Sequence, residues 1–239
     1  RFVAKRIAPV YSSPLLGEYG FALEKKEQTN GEYVKAAGIF PPGNLGPPEH
    51  IHPGFDEKFE VNSGNFIILV DGKEHNVGPG DVMTVNRGTR HTFRCVGNEY
   101  GILLVETRPA ARLEEIALTL FGLAHEGKAR SDGAPRFLQG MVIGEEYSDD
   151  FALPFPPPFI SKILIGFFAP IARLTQAKQI IQEGWSRALI RATTRVSKKL
   201  ADGTISQTLG DESRESVALD FDGHPQKYDP QLPGNRWCD

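Results

Sequence analysis

The chain has 239 residues, a net charge of −3 and 24% charged residues, with no basic run or stripe, which argues against nucleic acid as a partner. Its 40% hydrophobic content is that of an ordinary globular protein. The only two cysteines, Cys95 and Cys238, form no CxxC pair, which argues against a disulfide framework and predicts a reducing, cytoplasmic setting.

Residues 1–11 lack the apolar stretch of a signal peptide. From 18 to 108 the sequence reads as β-rich. Apolar runs at 33–40, 59–61, 66–70, 82–85, 92–95 and 101–106 alternate with turn signals such as Pro41-Pro42-Gly43-Asn44, Asn62-Ser63-Gly64, Asp71-Gly72, Gly78-Pro79-Gly80 and Asn86-Arg87-Gly88. Asp71-Gly72 suits a tight hairpin, because both residues tolerate positive φ. Short strands at such spacing predict a sandwich or barrel.

After Ala110 the period changes. Leu113, Ile116, Leu120 and Leu123 recur at helical spacing, and a second helix is predicted from Pro135 or Arg136 to about Tyr147. A proline-rich stretch at 153–158 then leads into an apolar segment, 159–174, that continues, less apolar, to 182. This segment is shorter than the roughly 20 apolar residues of a membrane span and contains Lys162, Pro170 and Arg173, so no transmembrane span is predicted. Its apolar face, from Phe159 to Ile171, is first a candidate for core packing or dimerisation. A lid over a site and a membrane-surface helix are the other readings. A mixed helix is expected at 185–200. Residues 201–239 form a polar arm with a short strand at 217–221.

The chemistry concentrates in the first half. In His50-Ile51-His52, alternate side chains share a face if the segment is extended. Glu57 lies beyond the Pro53-Gly54 turn on the next strand, and His91 opens a later one. Three imidazoles and one carboxylate suit one divalent transition metal ion, whether Fe, Mn, Ni, Cu, Co or Zn. On a six-coordinate ion this set leaves two open positions. On four-coordinate zinc it leaves none, and the site would be structural.

These residues resemble the two motifs of the cupin superfamily. The first reads His50-x-His52-x₄-Glu57-x₆-Gly64, and the second Gly80-x₅-Asn86-Arg87-Gly88-x₂-His91. Asn86 stands where the family has Pro, Cys95 where it commonly has Asn, and Asn44 where a Gly is expected. The resemblance spans roughly residues 33–108. It implies a mainly β protein, a double-stranded β-helix (jelly-roll) barrel, often dimeric, here with a C-terminal α-helical extension. The expected organisation is a barrel over 1–109, a helical extension over 110–200 packed on the barrel or on a homodimer partner, and the arm over 201–239.

Strand parity extends the site. If Glu57 faces inward, so do Phe59 and Val61; if His91 does, so do Phe93 and Cys95. The expected lining is apolar, suiting a small hydrophobic, aromatic or polyketide-like substrate, although Phe59 and Phe93 could equally be barrel filling. Glu60 falls on the opposite face. His75, His125 and His224 lack spaced partners and are assigned no ligand role. Arg87 and Arg90 lie near the mouth, as solvated loop charges or as partners for an anionic substrate. The leading expectation is a metal-dependent cupin oxygenase of the quercetinase type, with O₂ as co-substrate and Glu57 as ligand and proton acceptor. A non-redox isomerase, decarboxylase or cyclase and a metal-containing binding module are the rivals.

Overall fold

The computed structural model describes residues 2–6, 10–156, 158–174, 205–208 and 215–219. The expected continuation of the apolar segment to 182, the helix at 185–200, most of the arm, His224 and Cys238 lie outside the described residues.

In chain order the strands are β1 (Phe2–Arg6), β2 (Tyr11–Ser13), β3 (Glu18–Glu24), β4 (Val34–Phe40), β5 (Asp56–Ser63), β6 (Asn65–Val70), β7 (Lys73–Val77), β8 (Val82–Val85), β9 (His91–Val96) and β10 (Gly101–Arg108). Helices α1 (Leu113–His125), α2 (Phe137–Glu146) and α3 (Pro158–Leu174) follow, then β11 (Ile205–Thr208) and β12 (Glu215–Leu219). A larger sheet runs β2-β3-β4-β10-β5-β8, and a smaller one runs β7-β6-β9. The two face each other as a jelly-roll barrel. Strand β12 also pairs with β1 and β11, and it overlaps the strand expected at 217–221.

The interior follows from alternation. Phe59 and Val61 of β5, Phe66 and Ile68 of β6, Val85 of β8, Phe93 and Cys95 of β9 and Leu103 of β10 form one buried cluster. Burying each large side chain contributes about 1.5–3 kcal/mol. Strand β10 is buried on both faces, because Ile102 and Leu104 turn outward into a second cluster with Val10, Phe21, Ala37 and Ile39. Strand β5 is longer than the apolar run at 59–61, since its outward residues Asp56, Lys58 and Glu60 are polar. Glu60 meets Lys35 at 3.4 Å on that outer face. Strand β7 (Lys-Glu-His-Asn-Val) carries no apolar run at all. It is an exposed edge that exists because the Asp71-Gly72 turn folds it back on β6.

The helical extension lies against its own barrel. Helix α1 meets β2, with the Phe121 and Tyr11 rings 6.0 Å apart and His125 Nε2 3.0 Å from the Ser12 carbonyl. On its other side α1 shares a core with α2 and α3 through Ile116, Leu123, Val142, Ile143, Tyr147 and Ala172. This double coverage is why α1 buries more residues than a one-sided amphipathic helix. Helix α3 presents Phe159, Ile163, Phe167, Ile171 and Leu174 to solvent. No described helix is long and apolar enough to cross a membrane.

Asn44 replaces the expected glycine by using its side chain. Its Nδ2 donates to Glu18 Oε1 (2.8 Å), its Oδ1 accepts from Gly46 N (2.8 Å), and its carbonyl accepts from Cys95 N (2.9 Å). The positive φ falls to Gly46, at 65°. Any side chain there would run into the Phe93 carbonyl.

Burial raises the Glu18 carboxyl to a pKa of about 7, against the opposing hydrogen bond from Asn44. Between pH 4.5 and 7 the folded chain therefore keeps a proton that the unfolded chain has lost. This contribution is fully present below the unfolded value and is lost as pH rises toward the folded one. It amounts to about 3 kcal/mol. Glu18→Gln should flatten the fall in denaturant-derived stability between pH 5 and about 7.5. Parallel pH profiles for the two proteins would refute it.

Candidate metal centre

Each of the four candidate ligands is placed by a different local device. Glu57 is the second residue of β5, where it pairs with Val85 of β8 and Thr107 of β10. His91 opens β9. The segment expected as a His-x-His strand is not one. His50 and Ile51 each form a single bridge, to His91 and Ala152 respectively, and His52 is already outside regular structure. Pro47, Pro48 and Pro53 explain this, since they deny the segment the N–H groups of a continuous ladder. The side chains converge nonetheless. A 2.9 Å bond runs from His50 N to the His91 carbonyl, another of 2.9 Å runs back from His91 N to the His50 carbonyl, and Gly88 N donates to the His52 carbonyl at 2.9 Å. The second motif is thereby stitched directly to the first.

Asn86 departs from the usual proline without cost to this turn. Its carbonyl accepts from Thr89 N at 3.1 Å, and Gly88 takes the positive φ of 78°.

All four side chains are buried, at 5% (His50), 2% (His52), 5% (Glu57) and 1% (His91) exposure. One donor atom from each lies within 4.8 Å of all the others. His50 Nε2 is 3.1 Å from His52 Nε2, His91 Nε2 is 2.8 Å from Glu57 Oε2, and His52 Nε2 is 3.3 Å from Glu57 Oε2. Adjacent donors on an octahedral ion with bonds of about 2.1 Å stand roughly 3.0 Å apart. The three pairs just given are close to that spacing.

The hydrogen bonds behind the rings point the same way. His50 Nδ1 meets the Pro48 carbonyl at 2.9 Å, His91 Nδ1 meets the Thr89 carbonyl at 2.9 Å, and His52 Nδ1 meets the Asp150 carbonyl at 2.6 Å. A carbonyl can only accept, so each Nδ1 carries the proton. A neutral ring then turns its Nε2 lone pair to the centre. Two such lone pairs 3.1 Å apart repel one another, as do a lone pair and a carboxylate oxygen at 2.8 Å. A cation between them reverses the sign of both contacts, so the donor set fits a divalent metal.

Without an ion the group responds differently: a proton takes the cation's place between His91 and Glu57. Burial first, then the neighbouring His52, lowers the His50 pKa to about 3, so it is neutral. Burial opposes charge on Glu57, yet hydrogen bonds from His52 and His91 hold its carboxyl well below the usual range. Burial likewise opposes charge on His91, and the Glu57 partner overcomes it and raises its pKa.

The surroundings are aromatic. Phe55 stacks on His52 at 4.2 Å and 26°, Phe151 stacks on His50 at 4.9 Å and 19°, and Phe59 meets His91 edge-on at 6.1 Å. Phe93 lies 5.8 Å from Phe59. Val61 and Cys95 are two steps further along their strands, about 13 Å from Glu57 and His91 by strand rise. They belong to the closed apolar end, where the Cys95 thiol faces the Phe40 and Glu99 carbonyls. Phe55 shares the parity Phe55-Glu57-Phe59 and is marked by it in the sequence, whereas Asp150 and Phe151 carry no local pattern that marks them. The loop arginines are already paired: Arg87 forks onto Asp56 at 3.1 Å through both Nε and Nη2, and Arg90 reaches Glu49 at 3.4 Å. His75 sits on β7, and His125 packs α1 on β2.

Residues 38–105 match the family model described as "Cupin domain", and with this barrel and its buried three-histidine, one-glutamate group the chain carries a cupin domain. Solved structures with a similar fold include an RmlC-like cupin from Shewanella frigidimarina, 26% identical, with 41% of this chain and 80% of that one covered and a TM-score of 0.35. Another is described as a predicted oxalate decarboxylase from Thermotoga maritima, 24% identical, covering 43% and 93%, with a TM-score of 0.38. A third is KdgF from Halomonas sp., 17% identical, covering 41% and 84%, with a TM-score of 0.37. Comparison with curated proteins gave no match.

Replacing His52 by Ala should lower Co²⁺ or Zn²⁺ affinity by at least about 100-fold in competition with a chromophoric chelator, exceeding the loss typical of an outer-shell change. His75→Ala should leave it unaltered. Equal affinities in all three proteins would remove the four residues from consideration as ligands.

Proposed function

We propose that the protein is a metal-dependent cupin oxygenase acting on a small, hydrophobic, aromatic or polyketide-like molecule. The observation that carries this reading is the convergence of three imidazole nitrogens and one carboxylate at a centre walled by phenylalanines. His50, His52, Glu57 and His91 would hold one divalent transition ion. When bound, a redox-active ion of this kind supplies Lewis acidity and one-electron chemistry with O₂.

The chain's own residues do the rest. The imidazoles add no charge, so Glu57 alone offsets a divalent ion, and a net charge of about +1 remains in an apolar surround. A phenol or enol that binds as its anion neutralises that charge, which favours such substrates over neutral sugars. Phe55, Phe59, Phe93 and Phe151 would exclude water and offer ring faces to a planar molecule, with Val61 and Cys95 closing the apolar end beyond. Glu57 is the single carboxylate of the group and would accept the substrate's hydroxyl proton at its Oε atoms. The rim arginines, engaged by Asp56 and Glu49, leave recognition to apolar and aromatic contact.

Iron- or copper-loaded protein should consume O₂ with flavonol or polyketide phenols, and Glu57→Gln should reduce the rate by about 100-fold or more, within the usual general-base contribution of about 10²–10⁴. No uptake with any redox metal would end the oxygenase reading. Undiminished anaerobic turnover with Zn²⁺ would assign the same site to a non-redox isomerase, decarboxylase or cyclase.

A further inference from the structure

We propose that residues 150–152, held in place by Arg112, are a positioning strap for the metal centre, so that docking of the helical extension and occupancy of the site stabilise each other. This rests on the reading of the four residues as metal ligands. Two of the three imidazoles find their Nδ1 acceptor two residues away in their own loops, at Pro48 and Thr89. His52 does not. Its acceptor is the Asp150 carbonyl, 98 residues distant and part of the helical unit. The next residue, Phe151, lays its ring on His50, and Ala152 pairs with Ile51 through bonds of 2.8 and 2.9 Å in both directions. The strap therefore touches both histidines of the first motif and clamps the residue between them.

The strap is itself fastened at its back. Asp150 N and Phe151 N both donate to the Tyr147 carbonyl, at 3.0 and 2.8 Å. Arg112 Nε reaches Asp150 Oδ2 at 2.8 Å, Arg112 N reaches Asp150 Oδ1 at 3.2 Å, and Nη2 donates to the Glu146 carbonyl at 2.8 Å. The guanidinium also lies 4.8 Å over the Tyr147 ring. On the barrel side, Gly54 lets the strap approach, because a Cβ there would stand 2.8 Å from the Asp149 carbonyl oxygen. The Asp150 side chain is 11% exposed and the Arg112 side chain 37%. Loss of Arg112 leaves a buried carboxylate short of donors, which is relieved by moving the strap. Truncating the half-exposed Arg112 leaves the barrel core untouched.

Co²⁺ serves as the probe, with Arg112→Ala, Arg112→Lys and Asp150→Asn compared with the full wild-type chain. The expected result is a fall in Co²⁺ affinity of about 10–100-fold in Arg112→Ala, in the range of outer-shell changes, with altered visible ligand-field bands and partial recovery in Arg112→Lys. Hydrogen exchange on the wild type should show peptides covering 147–153 gaining protection when Co²⁺ is added, and that gain should vanish in Arg112→Ala. A purely structural Arg112 would lower the melting temperature of metal-free protein without moving affinity or bands, and that result overturns the proposal. If Arg112→Ala does not fold, the wild-type exchange experiment decides alone: unchanged protection at 147–153 on loading refutes the strap. Absence of Co²⁺ binding by the wild type overturns the metal site as well, whereas binding with identical bands in every variant overturns only the strap.

Discussion

The structure depends on three backbone carbonyls, those of Pro48, Thr89 and Asp150, each committed to the Nδ1–H of one histidine. An imidazole has two nitrogens and, when neutral, one proton. Fixing that proton on the outer nitrogen fixes the lone pair on the inner one, and ring orientation follows. Three rings so fixed, with Glu57 opposite, place several electron-rich atoms within 4.8 Å of one another inside an apolar barrel. Such a concentration of lone pairs is costly to bury without a positive charge to share. The hydrophobic packing around it, from Phe55 to Phe93, raises that cost by lowering the local dielectric, and it strengthens the attraction to any cation by the same measure.

Much of this arrangement was legible in the sequence because strand parity is a strict period of two. Glu57, Phe59 and Val61 of β5, and His91, Phe93 and Cys95 of β9, are buried while their neighbours are less so. Parity says only which face a residue shares, however. It does not say how far along the strand the site extends, and so it gave Val61 and Cys95 the same standing as Phe59. The regular alternation also failed for His50 and His52, where single bridges replace a strand and the common direction comes from cross-loop hydrogen bonds. Strands β2 and β7 do not stand out as separate elements in the sequence, because short or polar strands owe their existence to their neighbours more than to their own composition.

The motif departures have physical explanations that a pattern cannot supply. A glycine at position 44 would serve the loop through backbone freedom. Asn44 serves it through three hydrogen bonds, one of them to Glu18, while Gly46 takes the unusual φ. At position 86 the proline ring is dispensable because the turn is already closed by the Asn86 carbonyl and by Gly88. In both places the geometry of the loop is retained while the residue that enforces it changes. The histidines therefore reach the same centre despite the substitutions.

What no local pattern could reveal is the part of the site contributed by the helical extension. Asp150 and Phe151 lie in an ordinary Ser-Asp-Asp-Phe stretch between α2 and the proline-rich segment, and nothing in their spacing marks them. Their role arises because Arg112, at the start of α1, and Tyr147, at the end of α2, fold the chain back toward the barrel. A barrel alone could orient His50 and His91 with acceptors from its own loops. It would leave His52 Nδ1 facing whatever covers that edge, and water in that place would permit either tautomer. A carbonyl permits one. The extension thus converts a ring with two available protonation patterns into a ring with a single one, and a local uncertainty in the barrel is removed by a contact that spans nearly a hundred residues of chain.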